Sequence, residues 1–492
     1  MSAPALPYAF AKAHGILVAG QGAEHAQLLL RESASLEALA EVRRSLGLPL
    51  QIENVSRATF EARLSEAYSG TDGNAAEVVA DVGQEVDLTQ LMTELPAVED
   101  LLETQDDAPI IRMINALLTQ AVRQAASDIH IEPYERHSVV RFRRDGVLVD
   151  VAQPHRALHA AMASRIKIMA SLDIAEKRLP QDGRIALRLA GRQVDVRVST
   201  LPTTHGERIV LRLLDKGSGQ RGLDSLGMAA DTVAPFAKLL DQPHGILLVT
   251  GPTGSGKTST LYATLKQLAT PQVNLCTLED PIEMIEPAFN QMQVQPGIDL
   301  TFANGVRALL RQDPDIIMLG EIRDLETAEV AIQAALTGHL VLSTLHTNDA
   351  PSAISRLLEL GVAPYLIKAT LLGVMAQRLV RTLCPDCKAA QPLSPDAWSG
   401  FAPGWAHAPP ITVYRPVGCT QCRASGYRGR IGVCEIMVLS EQLKALIGPQ
   451  TDLSAIRQLA SAQGMLSLRL AAAHKVASAA TSLEEALRVT PA

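Results

Sequence analysis

Residues 251–258 read Gly-Pro-Thr-Gly-Ser-Gly-Lys-Thr, the GxxxxGK[ST] spacing of a loop that wraps phosphate. Gly251, Gly254 and Gly256 permit backbone geometry that a side chain would obstruct. Together with Pro252, Thr253, Ser255 and Ser259 they make up the candidate nucleotide-binding set. Lys257 would reach the β- and γ-phosphates, and Thr258 would offer its hydroxyl to Mg²⁺. The chemistry is binding of a nucleoside triphosphate.

Hydrolysis needs a second element that handles water. Ile316–Leu319 is an apolar run followed by Gly320-Glu321. In an open α/β sheet, ligands sit at the C-terminal edges of the strands, which would place Glu321 opposite the γ-phosphate as the group that orients or deprotonates water. The run ends in Gly320 where such strands usually end in Asp, so Mg²⁺ would rest on Thr258, phosphate oxygens and waters. Leu278-Glu-Asp-Pro-Ile-Glu283 puts Glu279, Asp280 and Glu283 after another apolar run. They suit a Mg²⁺–water shell, and equally a turn with solvated acids. Gly338 to Asn348 carries His339 and His346 on either side of a third run. His346 could contact the γ-phosphate, or be a hydrogen-bonded structural residue.

Cys384-Pro-Asp-Cys387 and Cys419-Thr-Gln-Cys422 are two CxxC pairs with 31 residues between them. Two tight knuckles of thiolates suit a closed, tetrahedral zinc site, with redox cysteines as the other reading. Cys276 and Cys434 lie apart from the pairs and read as packing residues. Arginine is dense from Arg141 to Arg212. Such a face can be solvated charge or a nucleic-acid contact. Arg197 and Arg212 could instead be delivered to a γ-phosphate across an interface.

These groups need a frame. Gly245–Thr250 should be the strand entering the phosphate loop, and Ser259–Lys266 the helix leaving it. Val273–Leu278, Ile316–Leu319 and Leu340–Ser343 are further apolar strands alternating with helices, the pattern of a parallel, helix-covered sheet. Pro109–Ala126 has helical periodicity. Ser127–Glu132, Val139–Arg143, Gln193–Val198 and Arg208–Leu214 alternate as strands, with a hairpin turn at Asp145-Gly146. The N-terminal 70 residues read as a small mixed or helical domain, with helices at Ser35–Leu46 and Thr59–Tyr68. Residues 71–107 read as a linker, and Lys216–Gly219 as a hinge. The expected domains are therefore 1–70, 108–216, 222–382, a loop-rich cysteine region at 383–434, and a helical end at 435–492.

The chain of 492 residues is too long for one core. Net charge is −7, the pI is near 6.0 and aromatics are only 3%, which argues against a nucleic-acid binder. No segment reads as a signal peptide or a membrane span, so a cytoplasmic protein is expected, with its cysteines not in disulfides.

The order of phosphate loop, acidic box Leu278–Glu283, Gly320-Glu321 strand and His339/His346 box resembles the secretion-superfamily ATPases of type II secretion and type IV pili. Ser127-Asp-Ile-His-Ile-Glu-Pro133, Arg178-Leu-Pro-Gln-Asp-Gly-Arg184 and Arg197-Val-Ser-Thr-Leu-Pro202 resemble that family's second N-terminal domain. The tetracysteine site resembles assembly and secretion members rather than pilus-retraction members, and the segment Leu6–Gly15 resembles the type II secretion branch. The resemblance implies a RecA-like ATPase domain preceded by an α+β, PAS-like domain and a small N-terminal domain. It implies a homohexamer hydrolysing ATP with Mg²⁺ and carrying structural Zn²⁺. Glu321 would be the catalytic carboxylate, assisted by Glu283, His346, Arg197 and Arg212. Residues 1–70 would dock on a membrane-anchored partner's cytoplasmic domain. Turnover would act on an inner-membrane platform protein to assemble a pseudopilus, leaving the protein peripheral to the inner membrane. Type IV pilus assembly is the alternative machine; a RecA-like DNA translocase and a non-hydrolysing scaffold are more distant ones.

Overall fold

A computed structural model of the chain describes residues 14–21, 25–31, 48–56, 108–189, 192–215 and 230–491, with scattered positions between (34, 38, 39, 42–44, 59, 60, 63 and 226–228). The expected linker at 71–107 and the hinge at Lys216–Gly219 lie outside the described residues. The chain divides into two compact units, one formed by residues 1–122, 152–165 and 188–192, the other by the remainder.

The first unit contains a three-stranded sheet, β1 (Ile16–Gln21), β2 (Ala26–Arg31) and β3 (Leu50–Val55). β1 and β2 run antiparallel; β2 and β3 run parallel. Alternation sends Ile16, Val18, Leu28 and Leu30 to one face with Ala38 and Val42, and Leu17 and Leu29 to the other with Phe60. Strands and helical residues are both present among the described residues of this stretch, where the reading as a mixed or helical domain places no strands. The strands' apolar runs are only six residues each, too short to tell from helix by periodicity. Much of the two expected helices lies outside the described residues; 38, 39, 42–44, 59, 60 and 63 are helical. Helix α1 (Ala108–Arg123) matches the apolar period read at Pro109–Ala126.

In the second unit a six-stranded sheet has the order β6-β5-β4-β9-β8-β7, from β4 (Asp128–Pro133), β5 (Ser138–Arg144), β6 (Val147–Ala152), β7 (Gln181–Leu189), β8 (Arg192–Thr203) and β9 (Gly206–Asp215). Helix α2 (Arg156–Met169) lies in the chain between β6 and β7. Its buried Lys167 pairs with Glu207 of β9 and donates to the carbonyl oxygen of Glu176 at 2.6 Å. Asp145, with φ of 47°, and Gly146 form the β5–β6 turn.

The nucleotide-type sheet has seven strands in the order β12-β11-β13-β14-β10-β15-β18. They are β10 (Gly245–Thr250), β11 (Leu275–Glu279), β12 (Asn290–Gln293), β13 (Ile316–Leu319), β14 (Leu340–Leu345), β15 (Leu371–Leu383) and β18 (Tyr427–Val438). All neighbours are parallel except β15 and β18. Every residue of β10, β11, β13 and β14 is buried, the mark of parallel strands covered on both faces. Leu247, Val249, Met318 and Leu342 pack with α3 (Ala230–Leu240) and α4 (Lys257–Leu268). Leu248, Ile317, Leu319 and Val341 face the other side, with α5 (Phe302–Leu309) and α6 (Leu325–Leu336).

The cysteine region is the excursion between β15 and β18. It holds a two-stranded ribbon, β16 (Ala389–Pro392) and β17 (Thr412–Arg415), and a short helix at Pro395–Phe401. The stretch from Ser440 to Arg488, expected to be helical, is four helices. Ser440, Asp452, Ser467 and Ser482 each accept an amide hydrogen bond at a helix start, which sets the breaks. No helix among the described residues is long and apolar enough to cross a membrane.

Candidate functional site

The phosphate loop leaves the C-terminal end of β10, the middle of the parallel array. Gly251, Gly254 and Gly256 all have positive φ, at 146°, 79° and 90°. Gly256 is the left-handed residue from which α4 starts, so the helix N-terminus and loop amides face the same space. Lys257 Nζ donates to the carbonyl oxygens of Gly251 at 2.8 Å and Pro252 at 3.2 Å, folded along the loop. Burial pulls its ammonium below the ordinary lysine value, against the nearby carboxylates of Glu321 and Glu283.

The loop opens on a cleft of about 660 Å³. Thr253, Gly254, Lys257, Thr258 and Ser259 line one side; Asp280, Glu283, Glu321 and His346 line another. Asp128, Arg143 and Arg212 of the six-stranded sheet also line it. Two sheets of the second unit thus bring the glycine loop, carboxylates and arginines together.

Glu321 follows β13 and His346 follows β14, which are hydrogen-bonded neighbours. Their side chains meet, His346 Nε2 lying 3.1 Å from Glu321 Oε2, while Arg323 pairs with the other carboxylate oxygen. Burial pushes the Glu321 carboxyl up, but Arg323 and His346 outweigh it and hold the group below its ordinary value. Glu321 is therefore ionised at neutral pH. Thr344 Oγ1 donates to the Gly320 carbonyl oxygen at 2.7 Å, which pins the turn carrying Glu321.

The remaining acids divide. Glu283 is exposed at the cleft. Glu279 is buried and accepts from Tyr262 at 2.7 Å, Thr277 at 2.7 Å and Gln291 at 3.2 Å, and its burial raises its pKa. The register pairs Leu278 with Leu319, so Glu279 stands beside Gly320, where β13 lacks an acid of its own. His339 Nδ1 lies 2.9 Å from the Ala334 carbonyl oxygen, closing the end of α6 instead of facing the cleft.

Arg212 Nε donates to Asp128 Oδ1 at 2.9 Å, and Arg143 stands 3.7 Å from the other oxygen of that carboxylate. Arg197 is opposite Arg212 in the β8–β9 register but is not among the residues lining the cleft. Arg143 and Asp128 were not singled out in the sequence. Both belong to regular strand alternation, and nothing in their spacing marks them. Arg430, which reaches the cleft from β18, was hidden for the same reason.

Sγ atoms of Cys384, Cys387, Cys419 and Cys422 all lie within 4.8 Å of one another. The closest pairs are 3.7, 3.8 and 3.9 Å. A tetrahedron with zinc–sulfur bonds of about 2.3 Å has edges of about 3.8 Å, so the four thiols fit zinc. Burial pushes the Cys384 and Cys387 thiols up, whereas at Cys422 the N–H groups of Cys419 and Gly426 outweigh burial and hold the thiol below its ordinary value. Cys276 and Cys434 are buried among apolar side chains, where burial pushes the Cys434 thiol up to about 12.

A family described as Type II/IV secretion system protein matches residues 103–488. The chain belongs to that family. A second family, described as an N-terminal domain of GSPII protein E, matches residues 5–68. The Type II secretion system protein HxcR of Pseudomonas aeruginosa is 54% identical over 485 residues, 99% of each chain. The Type II secretion system ATPase E of Vibrio cholerae is 48% identical, covering 99% of this chain and 96% of its own. The Type II secretion system protein E of Aeromonas hydrophila is 50% identical with the same two coverages. Among solved structures, the ATPase DotB of Legionella pneumophila is similar over 76% of this chain and 94% of its own, with a TM-score of 0.57 at 22% identity. The pilus retraction motor PilT with bound ADP is similar over 76% and 96%, with a TM-score of 0.51 at 24% identity. These two show the fold. The full-length relatives make the chain an ATPase of the type II secretion family.

Proposed function

We propose that the chain hydrolyses MgATP in the cleft lined by its six- and seven-stranded sheets and uses the energy to drive type II secretion. The observation that carries the site assignment is that the phosphate loop, Glu321 and Arg212 line the same cleft. Lys257 and the loop of residues 251–259, through its backbone N–H groups other than at Pro252, bind the phosphates, and Thr258 holds Mg²⁺. Glu321, held ionised by Arg323 and His346, orients or deprotonates the attacking water. Glu283 supports the metal's water shell. Arg212 supplies positive charge to the transition state, with Arg197 behind it on the neighbouring strand. Zn²⁺ held by Cys384, Cys387, Cys419 and Cys422 is structural: it closes the excursion between β15 and β18.

The active form is a homohexamer, peripheral to the inner membrane. Its N-terminal 70 residues dock on the cytoplasmic part of a membrane-anchored secretion protein, and turnover acts on an inner-membrane platform protein to assemble the pseudopilus. The match of residues 5–68 to the N-terminal domain family of GSPII protein E supports the docking role.

Two variants test this reading. Lys257→Ala should lose nucleotide binding and turnover; Glu321→Gln should keep binding and lose turnover. Placed in a strain that carries the gene, either should stop export of extracellular enzymes while surface pili persist. Loss of pili with export intact would reassign the motor to pilus assembly, and normal turnover in both variants would refute the site.

A further inference from the structure

We propose that Gln377 is a positioning residue for the phosphate loop, holding its two end glycines and the first turn of α4 in the shape that takes the nucleotide's phosphates. The inference rests on the reading of residues 251–259 as the ATP site.

Gln377 belongs to β15, beside β10. Thr250, the last residue of β10, pairs in parallel with Ala376, so the register sets Gln377 beside Gly251, where the loop begins. The three residues before it, Val374, Met375 and Ala376, are apolar and fully buried, and Arg378 follows it. Gln377 is itself only 2% exposed. A buried primary amide is costly unless its polar atoms are used, and an aliphatic side chain would fill the same space without that cost.

Three contacts show how the residue is used. The backbone carbonyl oxygen of Gln377 sits where a Cβ on Gly251 would stand, so the strand and the loop entrance are close-packed whichever side chain position 377 carries. Its Nε2 lies 2.9 Å from the corresponding point on Gly256, under the left-handed residue that begins α4. Its Oε1 accepts a hydrogen bond of 2.7 Å from Thr260 Oγ1. Thr260 is fully buried, and its amide donates to the Gly256 carbonyl oxygen at 3.0 Å. The side chain therefore fills the space beneath Gly256 and holds the turn that aims the helix amides, while the backbone of the same residue closes on the loop's entrance. Gln377 does not line the cleft, so any effect on nucleotide must pass through the loop.

Methionine at this position keeps length and bulk but offers Thr260 only a weak thioether acceptor in place of the amide oxygen. The test uses the full chain, a fluorescent ATP analogue with Mg²⁺ for equilibrium binding, steady-state ATP turnover and thermal melting. Gln377→Met should bind the analogue about tenfold more weakly, the effect of one lost buried hydrogen bond, at temperatures where the protein is fully folded. Thr260→Val should give a similar loss, and the double variant should add little to either. Gln377→Ala should weaken binding further, because space opens beneath Gly256. Wild-type affinity in Gln377→Met and Gln377→Ala, with only the melting temperature lowered, would overturn the proposal and leave Gln377 a core residue. Lys257→Ala serves as the separate control. If it too bound the analogue normally, the ATP-site reading itself would fail.

Discussion

Glu321 and His346 meet at 3.1 Å at the C-terminal ends of two adjacent parallel strands, although 25 residues separate them in the chain. Arg323 holds the other carboxylate oxygen, so the acid that faces the phosphate loop is fixed from two sides. A carboxylate gripped this way has a set direction and a set charge, which is what orienting a water requires.

This gives the pH dependence a sign. Because the folded state lowers the Glu321 pKa, the pairing adds stability above the ordinary carboxylate value of about 4.3, and that stability is lost as pH falls through the folded value. Arg323→Ala should raise the Glu321 pKa and move the acid limb of the kcat profile to higher pH. Glu321→Gln should lower kcat by about 10²-fold or more while the nucleotide Kd changes little. An unmoved acid limb in Arg323→Ala would show that Glu321 is not the group titrating there.

Arg212→Ala should lower kcat by about 10²-fold, with nucleotide affinity much less affected, as expected of charge used in the transition state. Arg197→Ala should cost less in kcat, since Arg197 does not line the cleft. Steady-state kinetics of the two variants at equal protein concentration make the comparison. Equal losses would mean that both side chains reach the phosphate in the assembled protein.

The tetracysteine excursion closes the β15–β18 pair at Leu383 opposite Tyr427, with the Cys384 amide bonded to the Gly426 carbonyl oxygen at 2.9 Å. Cys384→Ser, or removal of metal by a chelator, should open that end and lower the melting temperature. Zinc should be found at about one equivalent per chain in the unaltered protein and well below half in the variant. Full zinc content in Cys384→Ser would refute the assignment of that ligand.

Glu435 of β18 is buried and accepts from the amides of Ala350 at 2.7 Å and Leu468 at 3.2 Å, tying the loop after His346 to the C-terminal helices. Burial raises its pKa. A carboxyl raised on folding takes up protons on folding, so stability falls as pH climbs from about 4.3 through the folded pKa. Glu435→Gln should flatten that fall with little loss at neutral pH. Glu435→Ala strands two buried amides and should cost about 1–3 kcal/mol. Denaturant melts across pH 4 to 8 separate the two variants.

Residue type and spacing alone located the glycine loop at 251–258, the two CxxC knuckles and the strands at 245–250, 316–319 and 340–343, the last of which runs on to Leu345, because each is encoded within a few neighbouring residues. Glycines where φ must be positive and apolar runs long enough to be buried strands are local requirements, and a sequence displays them directly. Other features depend on pieces far apart in the chain. Sheet order decides that His346 lies against Glu321, and register decides that Glu279 stands beside Gly320 and Gln377 beside Gly251. Juxtaposition of the two sheets in one unit decides that Arg143 and Arg212 line the cleft, whereas Arg197 does not. The first sheet of the chain, with six-residue strands, was also settled only by pairing, since a short apolar run takes its conformation from the strand beside it. What the sequence determined by itself was the local chemistry of each motif. Which motifs face one another was decided by tertiary structure, because strand pairing and packing act between residues that no local pattern connects.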